Sequence, residues 1–113
     1  MPLRILLIEP DALLQRELAL VLQCTGGYEV EPRSCVEQAL SLLMSRPFAL
    51  LLARQSVLSR MPASMVKIGY GHLQLPMPEH CLGWIDPLRP LPAFAERVRK
   101  LLEGDDPSRP DVR

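Results

Sequence analysis

The chain changes its apolar period several times. Leu3 to Ile8 is apolar except for Arg4 and ends at Glu9-Pro10, which predicts a short strand buried on both faces. Asp11 follows as the N-cap of a helix. Within it Leu14, Leu18, Val21 and Leu22 recur at helical spacing, with Gln15, Arg16 and Gln23 opposite. Gly26-Gly27 ends it, because glycine accepts the left-handed backbone of a C-cap. Tyr28 to Glu31 alternates apolar and acidic residues, predicting a strand with one wet face near a sheet edge. Ser34 and Glu37 fit a capping box. Val36, Ala39, Leu40, Leu43 and Met44 then form the stripe of a second helix, which Arg46-Pro47 stops.

Phe48 to Ala53 is an unbroken apolar run and predicts a buried strand. Gln55 to Ser64 carries Pro62 and no sustained period, so one helical turn is expected there at most. Met65 to Tyr70 predicts a short strand with Lys67 as an interior charge. Pro76 and Pro78 argue against a regular helix over 71–79. Leu82 to Ile85 is a fifth strand, and Pro87, Pro90 and Pro92 stiffen the connection to a last helix. That helix faces Phe94, Val98, Leu101 and Leu102 inward and is capped by Gly104. Strands alternating with helices predict an α/β fold, a flavodoxin-like doubly wound five-stranded parallel sheet of order 2-1-3-4-5. Its third and fourth helices are shortened or missing. Residues 1–104 form the domain, and 105–113, rich in charge and proline, are a disordered tail or the start of a linker.

Composition narrows the function classes. The 113 residues suit one domain, and 48% hydrophobic content excludes disorder throughout. No apolar run is long enough to span a membrane, and Met1-Pro2-Leu3-Arg4 does not open a signal peptide. Thirteen basic and thirteen acidic residues cancel, so neither nucleic acid nor an anionic membrane is expected as the main partner. Cys24, Cys35 and Cys81 are odd in number and widely spaced, which argues for a reducing cytoplasm rather than a disulfide framework. Cys24 and Cys35 are expected in or near the core, with His72 and His80 in a loop. His72, Glu79, His80 and Cys81 do not supply four ligands at zinc spacings, so neither metal nor cofactor is expected.

In order along the chain, several segments resemble the receiver domain of bacterial response regulators. They are Leu3 to Leu14, Gly27-Tyr28-Glu29-Val30, Glu37-Gln38-Ala39-Leu40, Arg46 to Ala53, and Ala95 to Leu102. The resemblance covers about residues 3–103, with a compressed middle. It implies an acidic pair after the first strand that holds Mg²⁺ and an aspartate ending the third strand that takes a phosphoryl group. It also implies a Ser or Thr after the fourth strand and a Lys-Pro pair after the fifth. This chain departs from that pattern at each point. Glu9 fills the first acidic position but Pro10 the second, and Asp11 is an extra acid. Arg54 stands where the acceptor aspartate belongs, the fourth strand ends in Gly69-Tyr70-Gly71, and the Lys-Pro position reads Asp86-Pro87.

Without an acceptor carboxylate no aspartyl phosphate can form at that position, and a cation beside Arg54 would face a fixed positive charge. Arg54 pairs with Glu9 or with Asp86, or the pocket has decayed and its charges point to water. The expected function is a phosphorylation-independent receiver-like module in bacterial signal transduction. It is expected not to be an enzyme and to act through a protein partner or as a homodimer. Leu73, Leu75, Met77, Leu82 and Trp84 are candidates for an interaction surface, with Trp84 alternatively a core residue of the fifth strand. Two other classes stay open. One is a small-ligand or anion sensor using a pocket near Arg54; the other is a small enzyme on a flavodoxin-like fold, whose only candidates would be the cysteines and histidines.

Overall fold

A computed structural model of the chain describes residues 3–72, 80–86 and 88–104. Its order is β1 (Arg4–Ile8), α1 (Ala12–Cys24), β2 (Glu29–Arg33), α2 (Val36–Leu43), β3 (Leu50–Ala53), α3 (Gln55–Leu58), β4 (Lys67–Tyr70), β5 (Cys81–Ile85) and α4 (Leu91–Glu103). All strand pairings are parallel and the sheet order is β2-β1-β3-β4-β5. The doubly wound topology expected from the sequence is present. The third helix shrinks to the four residues of α3, and residues 71–80 alone connect β4 to β5. Residues 105–113 lie outside the described residues.

The central strands are apolar on both sides because both faces of the sheet are covered. Ile5, Leu7, Leu50, Leu52, Ile68 and Tyr70 face α1 and α4, where Leu18, Leu22, Phe94, Val98 and Leu101 complete one core. Leu6, Ile8, Leu51 and Ala53 face α2 and α3, where Val36, Ala39, Val57 and Leu58 complete the other. α1 begins as expected: the Asp11 carboxylate accepts the Leu14 amide at 3.0 Å. α4 ends at Gly104 in the left-handed region (φ 83°).

Three local expectations need correction. The capping box at Ser34 does not form: β2 runs on to Arg33, so α2 starts a residue late with Cys35 at the cap and no side-chain cap bond. The Ser34 hydroxyl accepts from Gln15 Nε2 instead. Met44 leaves the α2 stripe, because the helix ends at Leu43, and it is 90% exposed. Cys24 sits on the outer side of the last turn of α1 and is exposed rather than near the core. The interior charge expected at Lys67 is present, and its ammonium is not left bare: Nζ donates to the carbonyls of Met65 (2.8 Å) and Ala63 (3.2 Å).

Candidate functional site

In an open parallel sheet the carboxyl ends of the strands make one rim, and a crevice opens where the strand order reverses. Here that reversal lies at β1 and β3. Glu9 follows β1, Arg54 follows β3 and Tyr70 ends β4, so three adjacent strands deliver an acid, a base and a phenol to the same place.

Glu9 is 1% exposed. Burying a carboxylate demands donors for it, and three reach it. Its Oε1 accepts from Arg54 Nε at 3.0 Å and from the Tyr70 hydroxyl at 2.6 Å. Its Oε2 accepts from the Asp11 amide at 2.9 Å. The backbone is tied as well: the Glu9 amide donates to Arg33 O, and Gln15 Nε2 donates to Glu9 O. The ion pair is lopsided in burial, with the Glu9 side chain 2% and the Arg54 side chain 40% exposed. Arg54 is held from a second side: its Cζ lies 5.5 Å from the Tyr70 ring centroid, within range of a cation–π contact. Burial, and then the Glu9 carboxylate that accepts its proton, push the Tyr70 phenol well above its usual range. Tyr70 therefore stays a donor at every ordinary pH.

Of the two alternatives for Arg54, its ion pair is with Glu9. Asp86 is exposed. Pro10 is also exposed, and Asp11 turns its carboxylate onto the start of α1. Pro87 lies outside the described residues. Sequence reasoning placed Tyr70 here only as a missing Ser or Thr. Its role as the second donor to Glu9 spans the distance from β1 to β4 and has no local signal.

The expected interaction surface divides. Leu73, Leu75 and Met77 lie outside the described residues. Leu82 is half-buried against the α1/α4 core, while Trp84 is 8% exposed in the α2/α3 core. Regular alternation would put the two on one face, but a register shift between Cys81 and Trp84 in β5 turns them to opposite faces, and they make no common patch. Trp84 lies across Gly69, where a Cβ would come within 2.0 Å of the indole ring. Its Nε1 donates to the Gly71 carbonyl at 2.8 Å. Gly71 itself needs its left-handed backbone (φ 84°), and a Cβ there would stand 3.1 Å from Arg54 Nη1. With α3 so short, the indole covers sheet that a longer helix would otherwise have to cover.

His72 and His80 are exposed, and Glu79 lies outside the described residues. His80 Nδ1 is 2.7 Å from the Ala63 carbonyl, so that nitrogen carries the proton. Among the described residues no three His, Cys, Asp or Glu side chains gather as a metal site. No helix of the described residues is long and apolar enough to cross a membrane.

No family model matches the chain, and no curated protein matches it. Solved structures do. HP1043, an orphan response regulator of H. pylori, superposes with a TM-score of 0.69 at 20% identity, over 88% of this chain and 96% of that one. The chemotaxis response regulator CheY4 of Vibrio cholerae gives 0.69 at 14% identity, over 89% and 99%. The BeF3-activated receiver domain of DrrB gives 0.61 at 16% identity, over 91% and 99%. With its 2-1-3-4-5 sheet and a rim built at the ends of β1, β3 and β4, this chain has the fold of response-regulator receiver domains.

Proposed function

We propose that the chain is a receiver-like signalling module that works without phosphorylation and acts by contact with another protein or with a second copy of itself. The observation that carries this reading is the closure of Glu9 by Arg54 and Tyr70. In the receiver pattern that acid helps to hold Mg²⁺, a hard cation that needs free oxygen ligands. Both Glu9 oxygens are engaged here, Pro10 brings no carboxylate, and Asp11 caps its own helix. A guanidinium nitrogen sits 3.0 Å from the acid, so a divalent cation at Glu9 would meet a fixed positive charge in a partly buried place. The residues present do not fit Mg²⁺, and no carboxylate stands at Arg54 to accept a phosphoryl group.

The ion pair thus holds the rim in one arrangement without metal or phosphate. A module of this kind signals by being present, bound or competed away, and it catalyses nothing. Likeness of fold to solved response regulators supports placing it in bacterial signal transduction, in the cytoplasm. Leu73, Leu75 and Met77 remain the proposed contact positions, with Trp84 withdrawn to the core.

Incubation with Mg²⁺ and a small phosphodonor such as acetyl phosphate, followed by intact mass measurement, tests the reading. The expected mass is unchanged. A gain of one phosphoryl group, lost on treatment with hydroxylamine as an acyl phosphate is, ends it.

A further inference from the structure

Arg54 uses one edge of its guanidinium for Glu9 and one face for Tyr70. Among the described residues Nη1 and Nη2 have no hydrogen-bond partner, and the side chain is still 40% exposed. The same residue lines a cleft of about 240 Å³ together with Gln55, Ser56 and His72. No acidic residue is among those lining residues, and the one carboxylate behind Arg54 is already neutralised by it.

We propose that this cleft binds a small phosphate-type oxyanion, with Nη1 and Nη2 of Arg54 as the fork and with Ser56 and His72 as flanking donors. Arginine presents its donors in a planar fork that matches two oxygens of a tetrahedral anion. The usual cost of fixing a long side chain on a ligand is reduced, because Glu9 and Tyr70 hold the guanidinium before any ligand arrives. The Ser56 hydroxyl and the His72 ring each add a donor, and the Gln55 amide lies beside them. The cleft exceeds what the oxygens of a bare phosphate need, so a small phosphomonoester fits the same chemistry. This site stands independently of the interaction role proposed above: it asks only what the exposed edge of Arg54 holds.

The test is a ¹⁵N–¹H correlation titration of the full chain at constant ionic strength. Inorganic phosphate, glycerol phosphate and acetate are added in separate arms, with chloride as the control. The expected result is saturable movement of the Gln55, Ser56 and His72 amides and of the Arg54 Nε–H with both phosphates, and weaker binding of acetate. Whichever phosphate saturates at lower concentration identifies the free or the esterified anion as the better ligand. Ser56→Ala and His72→Ala change exposed residues and keep the fold. Each is expected to weaken binding about fivefold, the effect of one hydrogen bond. Shifts that stay linear and spread over the whole surface, equal affinity in both variants, or tighter acetate than phosphate overturn the proposal. None of these outcomes bears on the mass measurement with a phosphodonor, so the two readings fail separately.

Discussion

The Tyr70 hydroxyl, at the end of β4, donates to the same Glu9 oxygen that Arg54 occupies, at 2.6 Å. One buried carboxylate oxygen therefore ties β1 to both β3 and β4. Tyr70→Phe removes that donor and nothing else. Glu9 keeps Arg54 and the Asp11 amide, so the expected loss is about 1–3 kcal/mol, the range for one donor withdrawn from a buried charged acceptor. Urea unfolding followed by circular dichroism measures it, and an unchanged midpoint would show the bond to be energetically empty.

Glu9 and Arg54 are expected to be coupled. Removing one partner of a buried pair strands the other, yet the Arg54 side chain is 40% exposed, so water screens part of the interaction. A double-mutant cycle with Glu9→Gln and Arg54→Met should give a coupling of about 1–2 kcal/mol. Additive effects of the two changes would mean the pair is incidental to the fold.

Gly69 and Gly83 offer a graded comparison. An alanine Cβ at Gly69 would meet the rigid Trp84 ring at 2.0 Å, whereas at Gly83 it would meet the flexible end of Leu101 at 2.4 Å. Gly69→Ala is expected to destabilise by about 3 kcal/mol and Gly83→Ala by about 1 kcal/mol, since overpacking costs more where the neighbour cannot turn aside. Pairing Gly69→Ala with Trp84→Leu should recover part of the loss. Thermal melts of the three proteins give the order, and the reverse order would contradict the packing described.

Alkaline titration carries a signed prediction. Tyr70 is raised first by burial and then by Glu9, and Tyr28 is raised first by burial and then by Glu103. A phenol whose folded value lies above its unfolded value contributes stability that is fully present below the unfolded value, about pH 10. That contribution is lost as pH rises beyond it. The chain has two tyrosines. Tyr28, only partly buried, should ionise in the folded protein somewhat above the usual phenol range, whereas the Tyr70 share of the phenolate absorbance should rise only together with unfolding at higher pH. Ionisation of both tyrosines near pH 10 in the folded protein would contradict the buried placement of Tyr70.

Much of this was legible in the amino-acid order, for identifiable reasons. Leu50 to Ala53 is an uninterrupted apolar run because both faces of β3 are covered, and a period of one residue cannot be mistaken for a wet strand. Asp11 sits where a cap must, directly before an apolar stripe at helical spacing. The opposite charges of Glu9 and Arg54 at the ends of neighbouring strands suggested their pairing, though Asp86 was an equal alternative until distances separated them. What escaped depended on register or on distance. The Ser34 box failed because β2 extends to Arg33, a difference of one residue that sequence patterns do not resolve. Tyr70 was seen as an absent hydroxyl residue rather than as a phenol that reaches Glu9, because that contact joins residues far apart in the chain. Trp84 read more readily as a core residue of the fifth strand than as surface, and its ring lies in the core across Gly69.

The position of Trp84 gives the protein an optical property. It is the sole tryptophan of the chain, shielded from water, with its indole N–H fixed on the Gly71 carbonyl. Gly71 in turn lies next to the Arg54 guanidinium. The emission of the native protein should therefore be blue-shifted and sensitive to the far end of β4. Any event that moves Arg54 or the turn beyond Tyr70 then reports itself as a change in fluorescence, with no label attached.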